Sequence, residues 1–276
     1  MRLSFYTYSY TDRLKMPTVE CLERIARTGY SGIDVSGTHG PSEDPKSFDK
    51  DLRTLTRKTA DRLNLRIEAV ITHATVTDSL FDPAKKPLDL KGSVDLAVDL
   101  GAPVMTFHLG GVPKGMNADA VWKRTVSYLR EACDYGADRK VSVAVDGIWP
   151  EWLNDSMDAQ DRLSRDIGSP NFGINFDPCY LAVIGLSPIE FARRFQKQLV
   201  HCHLKDYRGR YPKWTHFIPG KGDMEYASVF RTLAELKWPA AAAVECFTDM
   251  KFEEACDDGF AAMTAAATTG NAKFER

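Results

Sequence analysis

Short apolar runs alternate with amphipathic helical stretches along the whole chain, and eight strand-and-helix units can be traced. Leu3 to Tyr6 reads as the first strand. A helix over Thr18 to Arg27 follows, with Val19, Leu22 and Ile25-Ala26 at helical spacing. Gly29-Tyr30 ends that helix and Gly32 to Val35 forms strand two. The same alternation then repeats. A helix near Phe48 to Leu63 precedes a strand over Arg66 to Ile71, and one ending at Val94 to Leu100 precedes Val104 to Phe107. Ala118 to Ala137 leads to Val141 to Val145, and Met157 to Ile167 to Phe172 to Phe176. Pro188 to Phe195 leads to the strand containing His201 and His203, and Tyr226 to Leu236 leads to Ala241 to Val244, with Glu253 to Ala267 closing the chain. Strands separated by helices pair in parallel, and crossovers of one hand give either an open sheet or a closed barrel. Eight units favour closure. An open dinucleotide-type sheet would want a glycine-rich turn after strand one, and Thr7-Tyr8-Ser9-Tyr10 contains no glycine. The expectation is an α/β protein, one (β/α)8 barrel domain over residues 1–276.

Composition narrows the function classes. Lys and Arg number 36 against 38 Asp and Glu, a net charge of −2 that leaves no electrostatic footprint for nucleic acid. No apolar run approaches membrane-spanning length, and the N-terminal stretch lacks a signal-peptide core. The six cysteines are scattered with no C-x-x-C pair, which points to reduced thiols and a cytoplasmic location. The partner expected is a small molecule, with neither nucleic acid nor membrane involved; a homo-oligomer is compatible with all of this.

In such barrels the chemistry sits where strands run out into the following loops. Strand three runs towards His73 and strand four reaches His108 before Leu109-Gly110-Gly111; strands five to eight end at Asp146, Asp177, His203 and Glu245. Alternation places Asp146 on the face of Ala144, Asp177 on that of Asn175 and Glu245 on that of Ala243, with Val145, Phe176 and Val244 facing the helices. Three inward carboxylates would repel one another or take up protons unless a cation joined them. With one imidazole they make a hard, oxygen-rich ligand set suited to Mn²⁺, Mg²⁺ or Co²⁺, and less selectively to Zn²⁺. One such acid is often only a loop cap; one group on each of four successive strands points to a single divalent metal, Mn²⁺ first. His201 shares the face of His203 one layer deeper, as a residue facing substrate or supporting the centre.

The chain resembles the sugar phosphate isomerase/epimerase family of xylose isomerase-like TIM barrels over nearly its whole length. The resemblance rests on Gly29-Tyr30-Ser31-Gly32-Ile33-Asp34, His201-Cys202-His203-Leu204-Lys205-Asp206, Pro219-Gly220-Lys221-Gly222-Asp223-Met224-Glu225-Tyr226 and Val244-Glu245. It implies that Asp146, Asp177, His203 and Glu245 hold the metal, as the matching positions do in ketose 3-epimerases, and that Glu245 and Asp146 move the substrate proton. Two positions depart from the family pattern. Asp146 stands where Glu is usual and is one methylene shorter. Tyr180 replaces the histidine of an Asp-Pro-x-His arrangement and is a much weaker base.

The implied activity is isomerisation or epimerisation of a sugar or keto-sugar by proton abstraction next to a metal-bound carbonyl. The departures keep open a lyase or dehydratase acting on a keto-sugar, keto-inositol or keto-glycoside, and a non-catalytic sugar-binding or partner subunit is a third reading. A repair endonuclease of the same superfamily would want more histidine than six residues and a basic face. Around the centre, His108, His73, Tyr180, Lys205 and Trp149 are candidate substrate contacts. Tyr6, Tyr8, Trp152 and Trp214 are further aromatic residues at loop outlets. Arg208, Arg210 and Lys213 read as a solvated basic run, His39 and His216 as solvated loop residues, and the reactivity of Cys179 and Cys246 is open.

Overall fold

The computed structural model describes residues 1–37 and 44–275. Eight parallel strands close into a barrel: β1 (Arg2–Tyr6), β2 (Gly32–Ser36), β3 (Arg66–Thr75), β4 (Val104–His108), β5 (Ser142–Asp146), β6 (Phe172–Phe176), β7 (Leu199–Leu204) and, beyond a hairpin, β10 (Ala241–Val244). β10 returns to β1, pairing Arg2 with Ala241 through Phe5 with Val244. No edge strand is left in the barrel, which is the physical advantage of closure.

Local chemistry sets the helices between the strands. Asp49, Asp89, Asn117, Ser156 and Ser187 each accept a backbone N–H at a helix start, and Gly29, Gly101 and Gly168 end helices in the left-handed region. Outward residues such as Phe5, Val70, Phe107, Val145, Phe176 and Val244 pack beneath these helices in the main core. Inside the barrel Ala69, Ile71, Val104, Ala144 and Ala243 form a smaller apolar layer below the mouth. Small inward side chains leave room above them for polar groups.

Several bounds differ from those read in the sequence. β3 runs on to Thr75, so His73 lies within the strand. Short helices over Val76–Phe81 and Pro178–Val183 follow β3 and β6, too brief for periodicity to reveal. The largest difference is an antiparallel hairpin after β7, β8 (Asp206–Arg210) with β9 (Lys213–Phe217), which turns the supposed basic loop into a wall beside the barrel mouth. None of the helices described is long and apolar enough to cross a membrane.

Candidate metal centre

Asp146 ends β5, Asp177 follows β6, His203 lies near the end of β7 and Glu245 follows β10. The register pairs Asp146 with Asn175, Asn175 with His201 and His203 with Ala243, and the stagger of the strands around the barrel still brings the four together inside the mouth. Ligand atoms of Asp146, Asp177 and His203 lie within 4.8 Å of one another. His203 Nδ1 stands 3.1 Å from Glu245 Oε2 and 3.6 Å from Asp146 Oδ2. Asp177 is fully buried, whereas the Glu245 side chain keeps 13% of its surface and faces the opening. Asp177 Oδ2, Glu245 Oε2 and His203 Nε2 make no hydrogen bond of ordinary geometry. What fits a divalent cation is the donor set itself, three carboxylates converging on one imidazole.

A cation of the chain's own already reaches this cage. Lys205 Nζ lies 2.9 Å from Asp177 Oδ2 and 2.8 Å from Glu245 Oε2, with its side chain 1% exposed. Its ammonium also sits 3.9 Å from the centroid of the Tyr180 ring, a cation–π contact. Burial disfavours that charge, yet Asp177 and Glu245 outweigh the penalty and raise the Lys205 pKa well above the usual range. For Glu245, burial is likewise outweighed by Lys205 and His203, so its carboxyl lies well below its ordinary value. Asp146 is held down to about 2 by His203 and His108 against the same desolvation. Asp177 moves the other way: burial and the neighbouring carboxylates raise it despite Lys205. His203, disfavoured by burial but surrounded by Glu245 and Asp146, rises to about 10. A ligand imidazole must be neutral, so metal loading would expel that proton.

Support for the cage comes from positions to which the sequence pattern assigned no role. Asn175 Nδ2 donates to Asp146 Oδ1 at 2.8 Å and lies 3.0 Å from His203 Nδ1, tying β5 to β7. Its signal was parity alone, because it shares the inward face of Asp177 two residues on. Asp34, in the middle of β2, holds His201 Nε2 at 2.6 Å with both side chains buried. His201 is therefore a buried partner of Asp34, a contact that fits the second of its two expected roles, support of the centre. Tyr6 stacks on the His203 ring at 5.7 Å and 12° and hydrogen-bonds His73 Nε2.

The motif after β7 has a mechanical purpose. The Asp206 carboxylate accepts backbone N–H groups from Gly220, Gly222, Met224 and Tyr207 at 2.8–3.0 Å, so the glycine-rich turn wraps around it. Asp206 is spent on this loop and Lys205 on the cage, which separates two neighbours that could have paired with each other.

The remaining candidates line the mouth or leave it. His108 Nε2 lies 3.1 Å from Asp146 Oδ2 and its Nδ1 3.1 Å from the His73 carbonyl oxygen. His73 stacks on Tyr8 at 3.9 Å, and burial with nearby His108 lowers its pKa to about 3. Trp149 meets Tyr180 and Trp214 edge-on at 5.0 and 5.2 Å, forming an aromatic wall with the hairpin. His216 is not a solvated loop residue. It lies on β9, stacks on Phe247 at 4.6 Å and accepts from Trp214 Nε1, because the hairpin folds it back over the mouth. His39 lies outside the described residues. Arg208 and Arg210 are exposed, donating to the carbonyl oxygens of Lys221 and Ala182, and Lys213 is exposed. Cys179 and Cys246 are buried and their thiols pushed up by desolvation, which removes them as reactive groups.

Residues 22–266 match the family described as xylose isomerase-like TIM barrel. A fructoselysine 3-epimerase of Shigella flexneri is 21% identical over 246 residues, covering 85% of this chain and 87% of the relative. Among solved structures, the probable 3-DHS dehydratase AsbF of Bacillus anthracis superposes with a TM-score of 0.77 at 16% identity, covering 95% of this chain and 98% of that one. The IolI protein with a bound zinc atom gives 0.77 at 17% identity, with coverage of 97% and 98%. At these identities the two superpositions establish a common fold.

Proposed function

Because the chain belongs to the xylose isomerase-like TIM barrel family, we propose that it is a divalent-metal enzyme that isomerises or epimerises a sugar or keto-sugar. The observation that carries this reading is the convergence of Asp146, Asp177, His203 and Glu245 inside the barrel mouth. These four residues would hold the ion, Mn²⁺ in the first place, with Mg²⁺, Co²⁺ or Zn²⁺ as alternatives. When bound, it would supply Lewis acidity towards a substrate carbonyl and the hydroxyl beside it.

The chain's own groups do the rest. Glu245 is ionised and faces the opening, so its carboxylate would take the proton from the hydroxyl-bearing carbon on one face, and epimerisation needs it returned on the other face, the part that falls to Asp146. Positioned acid–base groups of this kind contribute roughly 10²–10⁴-fold. Lys205, next to Glu245, stabilises negative charge that develops on substrate oxygen. Tyr180 keeps its proton, since burial raises the phenol pKa, and acts as a hydrogen-bond donor. His108 and His73 line the side from which a hydroxylated ring enters, and the aromatic wall around Trp149 shields the site from bulk water.

A second reading has its own support. Both oxygens of Asp146 are already engaged, one by Asn175 and one by His108, and its side chain is 3% exposed against 13% for Glu245, which makes it the poorer proton-transfer group. Glu245 then works as a lone base with Lys205 and Tyr180 as donors, the arrangement an elimination needs. A keto-sugar, keto-inositol or keto-glycoside lyase or dehydratase fits that set.

Both readings share one step, and it can be measured. Metal-loaded protein incubated in D₂O with a panel of keto-sugars should place deuterium on the carbon next to the carbonyl, and Glu245→Gln should reduce that exchange by at least about 10²-fold. Product mass from the same reactions run in H₂O then separates isomerisation, which leaves it unchanged, from elimination, which lowers it. Exchange at near-normal rates in Glu245→Gln would remove Glu245 as the base.

A further inference from the structure

Beside the barrel mouth, the loops after β3, β4 and β5 form an open recess of about 300 Å³, bounded by Asp78, Gly111, Trp149, Pro150, Glu151 and Trp152. Two indoles stand between it and the metal centre. The Trp152 ring lies 5.5 Å from that of His108, whose Nε2 contacts Asp146, and Trp149 meets Tyr180 beneath the Lys205 ammonium.

The recess is held in shape. Gly111 and Trp152 form an antiparallel bridge, and the Leu153 N–H donates to the Gly110 carbonyl oxygen at 2.9 Å. A Cβ at Gly111 would lie 2.1 Å from the Glu151 carbonyl oxygen, so only glycine allows the two loops to approach this closely. Glu151 itself adopts φ +71°, a conformation that costs free energy for a residue with a side chain and is found most often at functional sites. At the rim, Asp78 and Glu151 are exposed carboxylates, with Asp78 accepting from Thr75 Oγ1 at 2.5 Å. Nothing in the proton-transfer chemistry uses Trp152, Asp78 or Glu151.

We propose that this recess is a second sugar subsite, and that the substrate is a glycoside of a keto-sugar whose second ring lies against Trp152 and Trp149. Aromatic faces take the C–H face of a pyranose, while rim carboxylates accept from its hydroxyl groups. Ligand pockets run from about 300 to 1,000 Å³, so a recess of this volume admits one further ring and not a chain. Trp152 lines the recess and its ring lies 5.5 Å from that of His108, so a sugar ring seated there is a neighbour of the reacting one. The inference rests on the keto-sugar reading above and names the substrate class within it.

The test is calorimetric titration of the metal-loaded protein with D-fructose and with its reducing glucosides linked through O3, O4, O5 and O6. At least one glucoside should bind roughly tenfold or more tightly than fructose, equivalent to about 1.4 kcal/mol, and quench tryptophan fluorescence. Trp152→Ala and Trp149→Ala should each remove most of that gain, and Trp152→Phe, which keeps a ring, should retain part of it. Thermal melts of each variant confirm folding. Binding of fructose with no gain for any glucoside, or a gain that survives both alanine variants, overturns the subsite and leaves the keto-sugar reading standing. Failure of every ketose to bind overturns both.

Discussion

Replacing Lys205 with Met keeps a flexible stem of similar volume beside Tyr180 and removes only the ammonium. That ammonium bridges Asp177 and Glu245 at 2.9 and 2.8 Å in a site closed to solvent. Without metal, the three carboxylates of the cage are offset in part by two cations, Lys205 and the protonated His203. The variant keeps one. Removing a single partner from a buried ion pair typically costs about 3–5 kcal/mol, because the remaining charge stays buried and unpaired. For a chain of this size each kcal/mol shifts the melting temperature by about 2–4 °C. Chelator-treated Lys205→Met should therefore melt on the order of 10 °C below the chelator-treated parent protein. Saturating Mn²⁺ supplies the missing positive charge, so it should raise the variant's melting temperature by more than it raises the parent's. The assay is differential scanning calorimetry of both proteins with and without Mn²⁺. A metal-free variant melting within about 2 °C of the parent would refute the role of Lys205 as counter-ion of the cage. An equal rise on adding Mn²⁺ would refute the cage as the place where metal binds.

Further outcomes follow from the surroundings of the centre. Asn175→Leu removes the donor that fixes Asp146 and should weaken Mn²⁺ binding by about 10–100-fold in a metal titration; an unchanged affinity would show that Asp146 needs no such support. Gly222→Ala would place a Cβ 2.3 Å from Asp206 Oδ1 and displace the turn wrapped around that carboxylate. Urea unfolding should register a loss of about 1–3 kcal/mol, and an unaltered midpoint would contradict the packing argument. His73 is neutral in the fold down to about pH 3, chiefly through burial, whereas an unfolded imidazole takes a proton below about pH 6.5. The stability this group contributes is thus fully present above pH 6.5 and is lost as pH falls towards 3, at up to about 1.4 kcal/mol per pH unit. Unfolding midpoints measured between pH 6.5 and 4 should fall less steeply in His73→Gln than in the parent, and equal slopes would count against a neutral buried His73.

What the sequence determines by itself is what depends on local period and parity. Helical spacing in segments such as Val19, Leu22 and Ile25, alternating with short apolar runs, is sufficient for eight parallel strands and closure. Strand parity is sufficient to turn Asp146 and His203 inward, and carried one residue past the strand ends it places Asp177 and Glu245 on the same side. Resemblance to known barrels adds their expected roles as ligands. Only the tertiary structure decides which inward groups meet. His201 and His203 share a face, yet barrel depth gives one to Asp34 and the other to the cage. Lys205 and Asp206 are adjacent, yet one faces the carboxylates and the other a glycine-rich turn fourteen to eighteen residues on. The hairpin over Asp206–Phe217 reads as a basic loop until β8 and β9 pair, and the recess beside Trp152 exists only because two distant loops touch through Gly111. These contacts join residues far apart in the chain, and strand stagger and barrel closure set their distances. Periodicity carries the direction in which a side chain points, but not what it finds there.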